Sequence, residues 1–369
     1  MPMYRGAVKL LHLNMIAMNR DMYDMKHVLR YSLLVMAVLL CQACTGTDPQ
    51  DITEERTTTI YLQLPQPDAG TRSISSGYED KLQFLESQIY TLRVILLSQA
   101  GTNKSTTINR LFTNVNSGGS LAIENVPVGD AQLYVIANEA SIGQNYSDIA
   151  NLQTQVMDVN GSRKVLITDT HNHYFPIRGS ELLAAEEKKG LPMSWMNKNL
   201  KVSKDMRIDV ALERCVSKVR MQIQNDFSES IQIKEVSFGA FFGNSFYLFR
   251  EGALDVPDQT YKEQVYQVYD ESEDYSIAPN ESEVLICYFY PSFAWTSGTV
   301  ASPYTIGFLT LNGIYPKMAF LNSDGKPYNS IPRNKQININ VTLSGATHVN
   351  IDFEVVEWTN EEITVPDFE

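Results

Sequence analysis

Apolar and polar residues alternate along most of this chain, and the alternation begins at residues 57–64. That segment reads Thr-Thr-Thr-Ile-Tyr-Leu-Gln-Leu and sets Ile60, Leu62 and Leu64 on one face. A period of two with β-branched neighbours predicts a strand that stops at Pro65. Residues 66–77 carry no apolar period and are rich in Gly, Ser and Pro, which predicts an exposed loop. Leu82, Leu85, Ile89 and Leu92 fall at helical spacing and predict a short helical turn leading into a strand over 92–97. Residues 122–138 read as two strands around Pro127–Asp130, residues 140–155 have weak helical character, and Asn160-Gly161 signals a hairpin. The stretch 170–205, with Pro176, Gly179, Gly190 and Pro192, reads as irregular, and the domain boundary is expected near its end.

Beyond it, Ile208, Val210 and Leu212 alternate, as do Val219, Met221 and Ile223. The phase changes between the two sets, so a bulge or bend is expected near Cys215. Further strands are expected over 283–290, 304–311, 314–321, 336–343 and 349–356, with Asn312-Gly313 joining two of them, and residues 236–249 form an aromatic-rich run. Many short strands with little helical period predict an all-β chain of two β-sandwich domains, residues 45–205 and 206–369, with short helical segments in the first.

The start of the chain has a different pattern. Residues 25–44 read MKHVLRYSLLVMAVLLCQAC: a basic stretch (Lys26, His27, Arg30), an apolar run and a terminal cysteine. The run is about ten residues, too short to span a bilayer and suited to a signal peptide. Met25 is then the expected start, and residues 1–24 an over-extended beginning. An apolar run that ends at cysteine is what a bacterial lipoprotein signal looks like. Cys44, preceded by Ala43, suits acylation better than Cys41, preceded by Leu40, although Gln42 departs from the preference for a small residue. Acyl chains at roughly 0.8 kcal/mol per buried methylene would anchor the precursor in a membrane.

Composition narrows the function classes. With 30 basic and 43 acidic residues the formal charge is −13. A surface of this sign repels phosphate backbones, so nucleic acid is not an expected partner. Of the four cysteines, Cys215 and Cys287 lie in apolar strand-like runs and read as buried free thiols, a disulfide between them being the alternative. His171-Asn172-His173 lacks further ligands and reads as polar loop, not metal site. The acidic run Asp270–Asp274 lacks the glycine and ligand spacing of a calcium loop. No phosphate-binding loop, nucleophile elbow or cofactor motif occurs, so neither an enzyme nor a cofactor is expected.

Several segments, in order, resemble the fimbrillin family, the type V pilus subunits of Bacteroidales. They are the lipoprotein cysteine Cys44, a first strand, a polar loop ending at Arg72, and the strand Leu-Arg-Val-Ile-Leu-Leu at 92–97. Next come Ile123–Asn138, which is similar to the family's pattern ending in Ala-Asn, Leu191-Pro-Met-Ser194, Leu212–Val219 and the ending Val355-Val-Glu-Trp358. Trp195 and Cys215-Val-Ser depart from the usual family residues. The resemblance implies two transthyretin-like Greek-key β-sandwiches and no catalysis. It also implies a lipoprotein precursor at the outer membrane, delivered to the cell surface and its fimbrium. An arginine-specific protease would cut between Arg72 and Ser73 and remove the propeptide strand within 45–72. Another pilus subunit would then donate a strand in place of Ile60, Leu62 and Leu64. Donor candidates are the alternating residues Val349–Val355 and the terminal tail with Ile363, Val365 and Phe368. A polymerising subunit is the leading expectation; an anchor, cap or adhesive tip subunit of the same pilus, or a glycan-binding surface lipoprotein, are the alternatives.

Overall fold

The computed structural model describes residues 57–65, 78–157, 177–178, 190–267, 276–295 and 301–357, apart from a few positions within their loops. In chain order the first elements are β1 (Thr57–Gln63), a helix α1 (Tyr78–Glu86), β2 (Thr91–Ala100), β3 (Lys104–Thr113), β4 (Ser120–Pro127) and β5 (Gly129–Ala137). Short strands β6 (Gln155–Met157) and β7 (Ile177–Arg178) precede β8 (Met193–Val202), β9 (Arg207–Asp209) and β10 (Glu213–Arg214). The rest comprises β11 (Ser217–Asn225), β12 (Ile231–Phe242), β13 (Ser245–Tyr247), β14 (Lys262–Gln267), β15 (Ser276–Ile277) and β16 (Ser282–Phe289). It closes with β17 (Thr305–Thr310), β18 (Ile314–Ala319), β19 (Lys335–Gly345) and β20 (His348–Glu357).

The strands build two sandwiches, so the chain is all-β as expected. In the first, a three-stranded sheet ordered β4-β1-β9 faces a five-stranded sheet ordered β10-β8-β5-β2-β3. Ile60, Leu62, Val94, Leu96, Leu133 and Val135 lie in the core between them. In the second, sheet β20-β19-β11-β16-β7 faces sheet β14-β12-β17-β18, with β15 paired to β12. This core is aromatic: Phe238, Phe241, Phe289, Tyr304 and Phe320 meet in it, with edge-on and stacked ring pairs such as Phe238–Phe289 at 5.2 Å and Phe241–Tyr304 at 5.1 Å.

Strand β16 shows how the two cores share a wall. Because side chains alternate across a strand, Leu285, Cys287 and Phe289 enter the second core, while Ile286 and Tyr288 enter the first. A smaller apolar cluster, including Ile95, Tyr134, Ile136, Phe246 and Leu248, covers the outer face of the first sandwich's larger sheet. There β13 pairs with β6.

Several expectations change. Residues 193–202, read as irregular, form β8, paired along its length with β5. The polar run Asn197-Lys-Asn199 and a register shift opposite Ala131–Leu133 hide its alternation. Strand β3 was not expected; it is an edge strand with Ile108 buried and Thr107, Arg110 and Leu111 exposed, so it carries too little apolar signal. Residues 207–214, assigned from sequence to the second sandwich, instead pair with β1 and β8. Residues 177–178, assigned to the first, pair with β16 in the second. The bend near Cys215 is where the chain leaves the first sandwich and enters β11. Cys215 and Cys287 are buried thiols with no disulfide between them. Burial pushes the Cys287 thiol well above its ordinary pKa.

Candidate functional site: the slot of the first strand

The first described strand, β1, is the middle strand of its sheet. It runs antiparallel to β4, pairing Ile60 with Ile123 and Leu62 with Leu121. On its other side it runs parallel to β9, pairing Tyr61 with Arg207 and Gln63 with Asp209. Backbone bonds tie it to both neighbours. Tyr61 N–H donates to Met206 O at 2.8 Å, Val210 N–H to Gln63 O at 3.0 Å, and Leu64 N–H to Gly119 O at 3.0 Å. The strand forms here because its alternate residues are aliphatic: Ile60 and Leu62 are 0% exposed and Leu64 is 3% exposed. Burying each such side chain contributes about 2 kcal/mol.

In the sheet order, β4 and β9 meet only through β1. Without β1, both would carry unpaired backbone groups beside bare apolar surface, which is costly on both counts. The geometry is that of a slot with a strand seated in it. It is bounded by β4 and β9 at the sides and floored by the first core.

The far side of the first sandwich is pinned by side chains that the motifs contain. Asn138, at the end of β5, takes φ 57°. Its side-chain Oδ1 accepts from Tyr90 N–H at 2.9 Å, and its side-chain Nδ2 donates to Gln88 O and Leu191 O. Gly190 sits against it with φ +70°, where a Cβ would come within 2.4 Å of Asn138 Nδ2; glycine is required for both reasons. Arg93 in β2 forms a buried bidentate pair with Glu139, both bonds 2.6 Å.

A second polar cluster joins α1 to the second sandwich. Glu86 is fully buried at the end of the helix. Its carboxylate pairs with Lys218 Nζ at 2.7 Å and accepts from Tyr288 Oη at 2.8 Å. Arg214 Nε lies 3.3 Å from Glu86 O. Burial, with the Glu86 carboxylate adding to it, pushes the Tyr288 hydroxyl well above its ordinary pKa.

Of the residues singled out from sequence, Ile60, Leu62 and Leu64 are thus brought together in one buried row. Cys44, Arg72, Ser73, Ile363, Val365 and Phe368 lie outside the described residues, as do Asn160-Gly161, His171, His173 and the Asp270–Asp274 run. The other donor candidate, Val349–Val355, lies in β20, an edge strand paired with β19 from Lys335↔Glu357 to Gly345↔His348. Among the described residues, no group of three or more His, Cys, Asp or Glu is placed to hold a metal ion. Strands at both walls of the slot, near 122–127 and at Ile208/Val210, were expected from sequence; that they flank β1 was not. The only available signal for β9 was the Ile208/Val210 alternation, which does not tell which sheet a strand joins.

No protein-family model and no curated protein matches the chain. Solved structures do. The tip fimbrial protein Mfa3 from Porphyromonas gingivalis, solved with a C-terminal truncation, matches with a TM-score of 0.50 at 14% identity, covering 82% of this chain and 100% of that one. A fimbrial assembly protein from Parabacteroides distasonis matches with a TM-score of 0.40 at 12% identity over 82% and 98% of the two chains. The fimbrial anchor protein Mfa2 from Porphyromonas gingivalis matches with a TM-score of 0.39 at 11% identity over 82% and 98%. At such identities the likeness is one of fold: the chain has the two-sandwich architecture of the Mfa3 tip fimbrial protein, in keeping with the fimbrillin resemblance read from its motifs.

Proposed function

We propose that this chain is a structural subunit of a cell-surface pilus. It is exported as a lipoprotein precursor acylated at Cys44, cut between Arg72 and Ser73 by an arginine-specific protease, and joined to other pilus subunits by exchange of a strand. The observation that carries the reading is the placement of β1. The strand is central to its sheet and fully buried on one face, and along the chain residues 66–77 join it to the elements that follow. Cutting that segment separates a complete strand from the domain it completes. The vacated slot then offers main-chain hydrogen bonds and apolar pockets to an incoming strand. The fold shared with a fimbrial tip protein supports the same role, and a strand slot as the candidate site goes with structural and not catalytic work. The terminal tail with Ile363, Val365 and Phe368 is the segment offered to the next subunit, because β20 is already paired with β19.

Arg72→Ala tests this directly. The variant should be exported and folded but left unassembled, with β1 still attached; normal assembly from it would overturn the processing step. Mass spectrometry of pili should find a mature N-terminus at Ser73. A retained acylated Cys44 in assembled pili would place the chain at the anchor position instead.

A further inference from the structure

The slot of β1 also constrains what is able to replace β1, and the inference that follows rests on the strand-exchange reading above. An occupant has to set three apolar side chains at alternate positions, where Ile60, Leu62 and Leu64 are now 0%, 0% and 3% exposed. It also has to bond on both sides, as the contacts of Tyr61, Gln63 and Leu64 do now. The segment of a second copy that the strand-exchange reading offers is its C-terminal tail, residues 358–369, beyond the strand β20 that pairs with β19.

That tail contains one aliphatic pair at the required spacing, Ile363 and Val365. Two residues before the pair stands Glu361, and two after it stands Asp367. Whichever two pockets the pair fills, the third receives a carboxylate. Reversing the strand does not help, because the parity of the positions is the same in both directions. Setting Ile363 in the place of Ile60 also puts Pro366 in the place of Gln63, and proline brings no N–H to a two-sided ladder. Phe368 is out of phase with the pair and would enter only through a bulge.

We propose that the slot vacated by β1 is filled by a strand of a different protein carrying three aliphatic side chains at alternate positions, and not by the tail of a second copy. The subunit then stands where unlike subunits meet, and does not repeat along a homopolymer. A carboxylate in a dry apolar pocket is strongly disfavoured, so the tail should bind about tenfold or more below the level of the strand it would replace.

The test uses the full chain cut after Arg72, with the severed strand exchanged off in mild urea. Fluorescent peptides are titrated against it by anisotropy: residues 57–65, residues 359–369, and the 359–369 peptide carrying Pro366→Gln and Asp367→Leu. The first and third should bind, the wild-type tail should bind about tenfold or more weakly than the first, and the cut protein alone should stay monomeric. A wild-type tail that binds within about tenfold of the 57–65 peptide, or cut protein that assembles by itself through residues 359–369, overturns the inference and leaves the pilus reading standing. If the 57–65 peptide also fails to bind, the slot does not open, and the strand-exchange reading falls with the inference.

Discussion

The two sandwiches solve the same packing problem with opposite degrees of commitment. In the second, each facing sheet has a backbone of long strands: β11 is flanked by β19 in parallel and β16 in antiparallel over eight residue pairs each. Its core is closed by interlocking aromatic rings. In the first, one facing sheet has three strands and depends on its middle one, β1, whose parallel partner β9 is three residues long. The second sandwich spreads its pairing over many contacts, whereas the first concentrates it in a strand at the start of the fold. The proposed exchange of β1 depends on that concentration.

The comparison breaks hardest at Leu62. Leu62→Asp puts a carboxylate at a position with no exposure, and should cost the first core upward of about 4 kcal/mol. Trp195 packs against the first core and Trp295 against the second. In versions that keep one of these tryptophans, urea unfolding followed at Trp195 should shift to much lower denaturant than unfolding followed at Trp295. Equal shifts would mean that the two cores are not distinct in this sense.

Glu86 sharpens the comparison from the other side, because it is where the two cores are joined. Glu86→Ala leaves the buried ammonium of Lys218 without this carboxylate and Tyr288 Oη without this acceptor, at about 3–5 kcal/mol. The two tryptophan signals should then separate further. A variant that unfolds as one unit at the original midpoint would show the cluster to be dispensable.

The smallest effect belongs to the second core alone. Burial of Tyr304, partly offset by its hydrogen bonds to Ser292 and Ala294, pushes its hydroxyl from 10.0 up to about 12. The folded protein therefore keeps a proton that the unfolded chain gives up. The stability linked to it is fully present below pH 10 and is lost as pH rises toward 12, at about 1.4 kcal/mol per unit. Stability measured at Trp295 should fall across that window. Tyr304→Phe should flatten the fall while lowering stability at neutral pH, because Ala294 N–H loses its acceptor. An unchanged alkaline slope would assign the effect to other tyrosines.

Much of this was legible in the sequence. The alternation of Ile60, Leu62 and Leu64 gave the buried face of β1, and Val219, Met221 and Ile223 gave that of β11. Gly129 after Pro127 marked the turn between β4 and β5. Cys215 and Cys287, sitting in apolar runs, are buried thiols outside any disulfide, as those runs implied. These features are local: a period of two fixes a face, and turn residues fix an end, from a few neighbours alone.

What the sequence left open was partnership. The pattern Ile208/Val210 is the same whether that strand opens the second sandwich or closes the first, and only tertiary pairing with β1 decided it. Ile177–Arg178 crosses to β16 for a reason no local pattern carries. Nor does anything near Glu86 announce Lys218 and Tyr288 as its partners. Alternation is a property of one strand, but a slot is a property of the strands on either side of it. The chain on its own determined which side chains turn inward; the tertiary structure decided which strands stand beside them, because pairing between distant segments is set by the competition among all faces for one shared core.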